Sequence, residues 1–323
     1  MINRRQFSAV AGALAAAPVL RTWAAAYPAR PIRLIVPFPA GAAVDTIARM
    51  FAESMAIKLN ANIFVDNKVG ANGTIGSADV ARADADGYTL LFNSTTLVQA
   101  PLVMPAPSYD PRRDFTAIGG LGTTPQPLVI NAATPAKTLE EFVRLSRGKE
   151  SSFGTYGPGT TPHAFLQLFS NLNKLDMVHV PYKGEGAMVI DLIGGRLQCG
   201  MGTMTTMTPQ IQAGKLRALA CLSDSRIPSL PDVPTFVELG YPKEFSWSGF
   251  IGLFAPKNLP ASIAELLADT FADTMKQPRI RSKLRDLDIV VQETRLRETQ
   301  TIVDSSYASW AKIVKDLRLA ETS

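Results

Sequence analysis

Residues 35–50 read IVPFPAGAAVDTIARM, and this stretch decides the fold class. A short β-branched run ends at two prolines and a glycine, and an apolar helical pattern begins at once. Strand, tight turn and helix form the repeating unit of α/β proteins, and the amino end of such a helix attracts anions. The spacing leaves two interpretations open, a plain connection and an anion site. Asp45 in the first helical turn either caps the helix or accepts a hydrogen bond from a ligand.

The same alternation of strand-like and helix-like segments continues along the chain and predicts two α/β lobes. We expect residues 27–123 plus 249–323 to form lobe 1, with lobe 2, residues 124–248, inserted into it. The chain would then cross between the lobes twice, near residues 122–126 and 245–252. A double crossing makes a hinge, and ligands of open α/β sheets bind beyond the carboxyl ends of the strands. The sequence therefore predicts a ligand cleft between two lobes.

A second strand enters a loop of small residues at SFGTYGPGTTPHAF, residues 152–165. Glycines and hydroxyl groups cluster here where a helix begins near Pro162, which is a stronger anion-site pattern than the first turn. His163, inside the first turn of that helix, is either a ligand donor or a packed, capping histidine; the second role is commoner. The candidate residues of this loop are Thr155, Gly157, Gly159, Thr160, Thr161 and His163.

The first 26 residues have the pattern of an export signal. They hold Arg4, Arg5 and Arg21 but no acid, then an Ala/Val/Leu-rich stretch and Ala24-Ala25-Ala26 before Tyr27. Arg4-Arg5-Gln6-Phe7 resembles a twin-arginine signal, and export by the general secretory route remains the alternative. The apolar stretch is too short for a transmembrane span, so we expect a periplasmic protein that is not membrane-inserted after cleavage.

Several kinds of chemistry are not supported by the sequence. It contains no GxxxxGK[ST] loop and no GxSxG elbow, and its two cysteines and two histidines lack metal-ligand spacing. We therefore expect no catalytic residue, no metal and no cofactor, and no nucleic-acid partner, since the formal charge of +5 arises partly from the leader. Cys199 and Cys221 lie in apolar runs that favour two buried free thiols over a disulfide.

Six segments in order closely resemble the Bug/TctC family, the periplasmic solute-binding receptors of tripartite tricarboxylate transporters. They span essentially the whole chain after Tyr27 and read YPARPIRLIVPFPAGAAVDTIARMFAESM, VDNKVGANGTIGSADVARADADGYTLLF, GPGTTPHAFLQLF, VHVPYKGEGAMVIDLIGGRLQ, IQAGKLRALA and LPDVPTFVELGYP. The resemblance implies a two-lobe periplasmic-binding-protein (Venus-flytrap) fold that closes on a small carboxylate. It also implies a two-component membrane permease as partner, and we expect the receptor itself to be a monomer.

In such proteins the backbone of the first turn holds one ligand carboxylate, and loops of both lobes border the cleft. Carried onto this chain, the turn comprises Phe38, Pro39, Ala40, Gly41, Ala42 and Ala43. The loop after the third strand of the first lobe contributes Asn93, Ser94 and Thr95, and the opposing lobe contributes the loop of residues 155–161 together with Gly202 and Thr203.

The chain departs from the family pattern at three positions. Ala42 stands where a second adjacent glycine is usual, and Gln198 and Gly202 stand where aspartates are common. If Gly202 lines the cleft, a pocket carboxylate is missing, which would weaken selection for a ligand amino group. Two alternatives to a transport receptor stay open at this point: a sensor partner of a membrane signalling protein, and a cleft hydrolase with a hydroxyl nucleophile.

Overall fold

The computed structural model describes residues 27–104, 106–246 and 249–319, so the predicted export signal at 1–26 lies outside it. None of the helices within those ranges is long and apolar enough to cross a bilayer. The strands are β1 Ile32–Val36, β2 Ile63–Asn67, β3 Thr89–Ser94, β4 Phe115–Thr123, β5 Gln126–Asn131, β6 Ser152–Thr155, β7 Val178–Pro181, β8 Cys199–Met201, β9 Leu216–Leu222, β10 Ile251–Pro256 and β11 Val290–Arg295. The helices are α1 Ala43–Leu59, α2 Thr74–Ala81, α3 Thr96–Val103, α4 Leu139–Ser146, α5 Thr161–Asn173, α6 Glu185–Ile193, α7 Met204–Gln212, α8 Ala261–Lys276, α9 Pro278–Asp286 and α10 Leu296–Asp316.

The strands form two sheets, which confirms the predicted α/β class. The first is six-stranded in the order β11-β4-β10-β3-β1-β2, and the second is five-stranded in the order β7-β6-β8-β5-β9. Strands joined by crossover helices are parallel, as in β2-β1-β3 and β7-β6-β8. Other neighbours are antiparallel, since β10 runs antiparallel to β3 and β4, and β5 runs antiparallel to β8 and β9. Both sheets are mixed because β5 and β10 follow the two crossings between lobes.

The crossings lie where the sheets exchange the chain. The chain leaves the first sheet at the end of β4 and, after two intervening residues, enters the second sheet at β5. The chain returns with β10, after a long connection that includes residues 247 and 248, outside the described ranges. The insertion of one lobe in the other follows from this order, whereas the residue boundaries 27–123, 124–248 and 249–323 remain a proposal.

The C-terminal helix ties the two lobes together. Trp310 of α10 is completely buried, and its ring meets Phe165 of α5 edge-on at 6.3 Å between centroids. These two side chains belong to one continuous apolar core that contains residues of both sheets, including Ile35 and Leu128. Burial of an aromatic side chain contributes a large part of core stability, so α10 stabilises lobe 1 and holds lobe 2 against it.

Two elements were not anticipated from the sequence. Helix α3 runs through Pro101 into a stretch that its prolines made look irregular, and β11 forms the edge of the first sheet with mostly exposed residues. Pro101 lacks the N–H that would donate to Leu97 O, and that carbonyl accepts from Tyr109 Oη at 3.1 Å instead. The apolar alternation that marks a half-buried strand is lacking in β11, since only Thr294 is buried there.

The start of α4 confirms a local prediction. Thr138 accepts a hydrogen bond from Glu141 N at 3.2 Å, as the capping-box spacing predicts. The reciprocal bond goes one residue further back, since Lys137 N donates to Glu141 Oε2 at 2.6 Å. The motif thus fixes both the first turn and the residue before it.

Replacement of Thr138 by alanine should lower the free energy of unfolding by about 1 kcal/mol, because the first turn of α4 loses a capping acceptor. Thr138→Ser keeps the oxygen and serves as the control. Equilibrium urea unfolding of the three proteins measures the difference. Equal urea midpoints for the alanine and serine variants would show that the cap does not contribute to stability.

Candidate functional site

The first turn, residues 38–43, is open at the carboxyl end of β1. Pro39, Ala40 and Gly41 are exposed, whereas Phe38, Ala42 and Ala43 are half-buried. The first helical bond of α1 joins Thr46 N to Ala42 O at 2.9 Å, so the N–H groups of Ala43 to Asp45 have no helical carbonyl partner. An accessible turn with unpaired N–H groups at a helix amino end can bind a carboxylate.

Asp45 lies inside this turn rather than on its open surface. Its side chain is 2% exposed, and Oδ2 accepts from Gly41 N at 2.8 Å and from Arg49 Nε at 3.1 Å, while Oδ1 accepts from Asn67 Nδ2 at 2.7 Å. Burial opposes ionisation of Asp45, but these hydrogen bonds outweigh it and hold the pKa of the carboxyl below its ordinary value. The sequence left open whether Asp45 caps the helix or accepts a hydrogen bond from a ligand. In the structure its oxygens accept from groups of the chain itself, so Asp45 stabilises the start of the helix.

Ala42 adopts an ordinary conformation for a residue with a side chain. Its φ of −66° and ψ of 160° are extended, so this position does not demand glycine. Gly41 does have a positive φ of 82°, and a Cβ added there would meet open space. The turn therefore uses one glycine for its backbone shape and leaves the second position to an alanine.

The loop after β3 is turned mainly inward. Asn93 is 1% exposed, donates to Ser77 Oγ at 3.0 Å and accepts from Ser94 N at 2.7 Å. Thr95 is 6% exposed and accepts from Phe250 N at 2.7 Å, which fixes the start of β10. Ser94 is half-buried, whereas Asn93 and Thr95 are buried. Two of these predicted cleft residues thus shape the hinge side of lobe 1.

The hydroxyl groups of the small-residue loop of lobe 2 form hydrogen bonds within the chain. Thr160 is 1% exposed and its hydroxyl donates to Gly157 O at 2.7 Å, while Thr155 is fully buried and contacts the same carbonyl at 3.1 Å. Thr161 Oγ1 accepts from Gln99 Nε2 at 2.7 Å, across the lobe boundary. The hydroxyls predicted to meet a ligand instead hold the loop in shape, so its backbone is the part left for a ligand.

The two histidines stack on each other beneath this loop. The rings of His163 and His179 lie 3.8 Å apart at 15°, and Phe153 stacks on His179 at 5.1 Å. Gly159 N donates to His163 Nδ1 at 2.9 Å, and His179 Nε2 lies 2.8 Å from Thr155 Oγ1. His163 is therefore a packed, capping histidine. Burial lowers the pKa of His163 to about 3, with a further contribution from His179, and lowers that of His179 to about 4.

These shifts predict an acid-sensitive fold. An unfolded histidine titrates near 6.5, so between that pH and about 4 the unfolded chain binds more protons than the folded one. Stability should fall as pH decreases through this window, by at most about 1.4 kcal/mol per pH unit for each proton. His163→Asn keeps an acceptor for Gly159 N but cannot titrate. Thermal unfolding from pH 7 to 4 should give a shallower slope for this variant, and parallel profiles would contradict the assignment.

The loop of lobe 2 touches lobe 1 directly. Asn72, before α2, donates from its amide to Pro158 O, and a Cβ added to Gly159 would lie 2.5 Å from Val103 Cγ2 of α3. The carboxyl-end loops of the two lobes therefore meet, and glycine at 159 is what permits the close approach. Asn72 itself has a positive φ of 53° and was not anticipated as a site residue.

Gly159→Ala should reduce ligand affinity more than it reduces stability, because a methyl group at this position separates the lobes at Val103. Gly148→Ala is the matched control: Gly148 has φ of 69° against 67° for Gly159, but a Cβ there meets nothing within 4 Å. Both variants bear the same backbone strain, so their difference isolates the contact between lobes. Calorimetric titration measures this difference, with the carboxylate that gives the largest thermal shift in a screen of mono-, di- and tricarboxylates. Equal affinities of the two variants would show that the contact with Val103 has no role in lobe closure.

Gly202 lies beside a carboxylate, although an aspartate is missing at its own position. A Cβ on Gly202 would lie 3.2 Å from Oε1 of Glu185, the first residue of α6. Glu185 Oε1 accepts from Thr203 N at 2.9 Å, and Oε2 accepts from Thr203 Oγ1 at 2.8 Å. Burial raises the pKa of Glu185, opposed by hydrogen bonds from Thr206 and Thr203. The sequence signal for this residue was its place directly after the strand–loop VPYKG.

The two cysteines are not reactive, and no metal-binding cluster is present in the described ranges. Cys199 and Cys221 are both buried and unpaired, as the apolar runs around them predicted. Burial raises the pKa of both thiols, so neither is a reactive nucleophile. Within the described ranges, no three histidine, cysteine or acidic side chains are grouped so that they could hold a metal ion.

Comparison with known proteins places this arrangement in a family. A family profile described as "Tripartite tricarboxylate transporter family receptor" matches residues 47–319. The chain belongs to the TctC receptor family. Members of the TctC family are periplasmic solute-binding receptors rather than enzymes. BugT of Bordetella pertussis is 33% identical over 317 residues, which cover 96% of this chain and 94% of BugT.

Two solved structures of similar proteins carry ligands. Rpa4515 of Rhodopseudomonas palustris with adipate is 28% identical, with a TM-score of 0.84 over 90% of this chain and 98% of that one. MatC (Rpa3494) from Rhodopseudomonas palustris with bound malate is 29% identical, with a TM-score of 0.79 over 89% of this chain and 100% of that one. These likenesses confirm the two-lobe periplasmic-binding-protein fold predicted for this TctC receptor.

Proposed function

We propose that this chain captures a small carboxylate between its two lobes in the periplasm and delivers it to a two-component membrane permease of the tripartite tricarboxylate type. The observation that carries the proposal is the exposed first turn, where the N–H groups of Ala43 to Asp45 lack carbonyl partners. The carboxylate ligands of Rpa4515 and MatC support the same chemistry for this chain. The basic, alanine-rich first 26 residues support export, and a monomer suffices for the cleft.

In this proposal the turn of residues 38–43 binds the carboxylate, and the backbone of residues 157–161 closes over it. Asp45 stabilises the turn by accepting a hydrogen bond from Gly41 N. Its negative charge is paired with Arg49, so Asp45 does not repel the ligand carboxylate. Asn72 and Gln99 of lobe 1 bond to the lobe 2 loop and stabilise the closed state. A ligand that contacts both loops favours closure by its differential affinity.

A cleft hydrolase finds no support in the geometry. His179 does lie beside a hydroxyl, that of Thr155, but Thr155 is fully buried and no substrate can reach it. Nδ1 of His163 already accepts a hydrogen bond from Gly159 N. Neither histidine is placed to act as a general base toward a ligand in the cleft.

Mass spectrometry of the small molecules that co-purify with the protein, followed by a thermal-shift screen of mono-, di- and tricarboxylates, tests the proposal. A carboxylate at about a hundred times its Kd should stabilise the fold by about 2.7 kcal/mol and be recovered unchanged. If no carboxylate in the screen raises the melting temperature, the binding function is wrong; chemical conversion of the ligand would instead favour an enzyme.

A further inference from the structure

A group of polar side chains at the cleft edge of lobe 2 has no part in the proposed carboxylate site. We call Gln126, Tyr156, Glu185 and Thr203 the Glu185 cluster. Tyr156, Glu185 and Thr203 follow the carboxyl ends of the parallel strands β6, β7 and β8, and Gln126 begins β5, which runs antiparallel to β8. All four therefore lie at one edge of the sheet, the edge that carries the ligand-binding loop.

Glu185 brings a carboxylate to this edge without a protein cation beside it. In the described part of the chain, no lysine or arginine forms an ion pair with Glu185. Lys183, two residues earlier, is exposed and does not contact the carboxylate there. The groups that donate to Glu185 are neutral, namely Thr203 N and the hydroxyls of Thr203 and Thr206. Burial disfavours the charged form of Glu185, and no positive side chain beside it offsets that cost, so a cation supplied by a ligand would stabilise the carboxylate.

The side-chain carbonyl of Gln126, a second acceptor in the cluster, has no donor among the described residues. Gln126 is 8% exposed, and its amide donates to Tyr156 Oη at 3.2 Å, yet its carbonyl Oε1 is buried with no hydrogen-bond partner. Tyr156 lies close enough for the charge of Glu185 to raise its pKa, after burial itself. An unpaired buried acceptor costs free energy until a donor reaches it. An ammonium group of a ligand would thus supply a donor to Gln126 Oε1 and a positive charge to Glu185.

The same geometry disfavours an anion at this end of the cleft. The amino end of α7 would attract a carboxylate, but Glu185 already accepts a hydrogen bond from N of Thr203, the residue that precedes α7. A second ligand carboxylate here would meet the charge of Glu185 at short range, and like charges in a partly desolvated cleft repel strongly.

We propose that Glu185 is a specificity-determining residue, which selects ligands that carry an ammonium group in addition to the carboxylate. The inference rests on the proposed function, since it assumes that the ligand carboxylate binds the first turn of lobe 1. The ammonium then lies between the two lobes, where Glu185 and Gln126 Oε1 accept its protons. The substrate class is therefore a small amino-carboxylate, in preference to a plain dicarboxylate.

Calorimetric titration with ligand pairs that differ by one amino group tests this selection. Suitable pairs are aspartate with succinate, glutamate with glutarate, and γ-aminobutyrate with butyrate. In the wild-type protein we expect the amino member of the best-bound pair to bind about tenfold more tightly or better. Glu185→Gln keeps an acceptor for Thr203 N but removes the charge, and should bring the two affinities together. Glu140→Gln, an exposed charge on α4 in the same lobe, should keep the wild-type ratio.

The outcomes separate the inference from the function beneath it. If plain carboxylates bind the wild type and their amino partners bind no better, the role of Glu185 is wrong while the receptor function stands. An unchanged ratio in a folded Glu185→Gln protein overturns it as well. If neither these compounds nor any carboxylate of the wider screen binds, the proposed function itself fails. Should the variant not fold, the wild-type ratios alone decide.

Discussion

The unpaired N–H groups at the amino ends of helices are the constraint on which the cleft depends. Parallel strands joined by helices bring several such ends to one edge of each sheet, and each N–H needs an acceptor. Here side chains accept from an N–H group at or just before the start of three helices: Asp45 from Gly41 N, His163 from Gly159 N and Glu185 from Thr203 N. In the proposed site, the N–H groups of Ala43 to Asp45 in the first turn of α1 follow an exposed stretch of backbone, and they donate to the ligand carboxylate.

In the proposed site, the two walls of the cleft differ in charge. The lobe 1 wall offers donors on an exposed turn whose one internal carboxylate, Asp45, is paired with Arg49. The lobe 2 wall offers a glycine-rich backbone and, beside it, the carboxylate of Glu185 without a cation. A ligand with opposite charges at its two ends complements such walls better than one with two like charges. The difference between the proposed walls thus follows from which acid is paired with a cation: Asp45 is paired with Arg49, and Glu185 with no lysine or arginine of the described residues.

Much of the framework was predictable because it depends on short-range patterns. The β-branched runs, the small residues after them and the Thr138–Glu141 spacing each specify local structure within a few residues. The element at 290–295 was missed because an exposed edge strand has no apolar alternation, and α3 was missed because prolines follow and interrupt it. The threonines of residues 155–161 were placed in the right loop, but their hydroxyls turn inward, and no sequence pattern distinguishes a hydroxyl that faces a ligand from one that faces the backbone.

The sequence by itself determined the alternation of strands and helices, the insertion of one lobe in the other, the two loops at the carboxyl ends and, through six ordered segments, the resemblance to TctC receptors. Only the tertiary structure decided which of those loops keeps free donors and where a carboxylate stands. Gly202 appeared to remove an acid from the pocket, yet Glu185, seventeen positions earlier, fills the space beside it. The physical reason is that side chains compete for the same backbone N–H groups across elements, and that competition depends on distances that spacing along the chain does not contain.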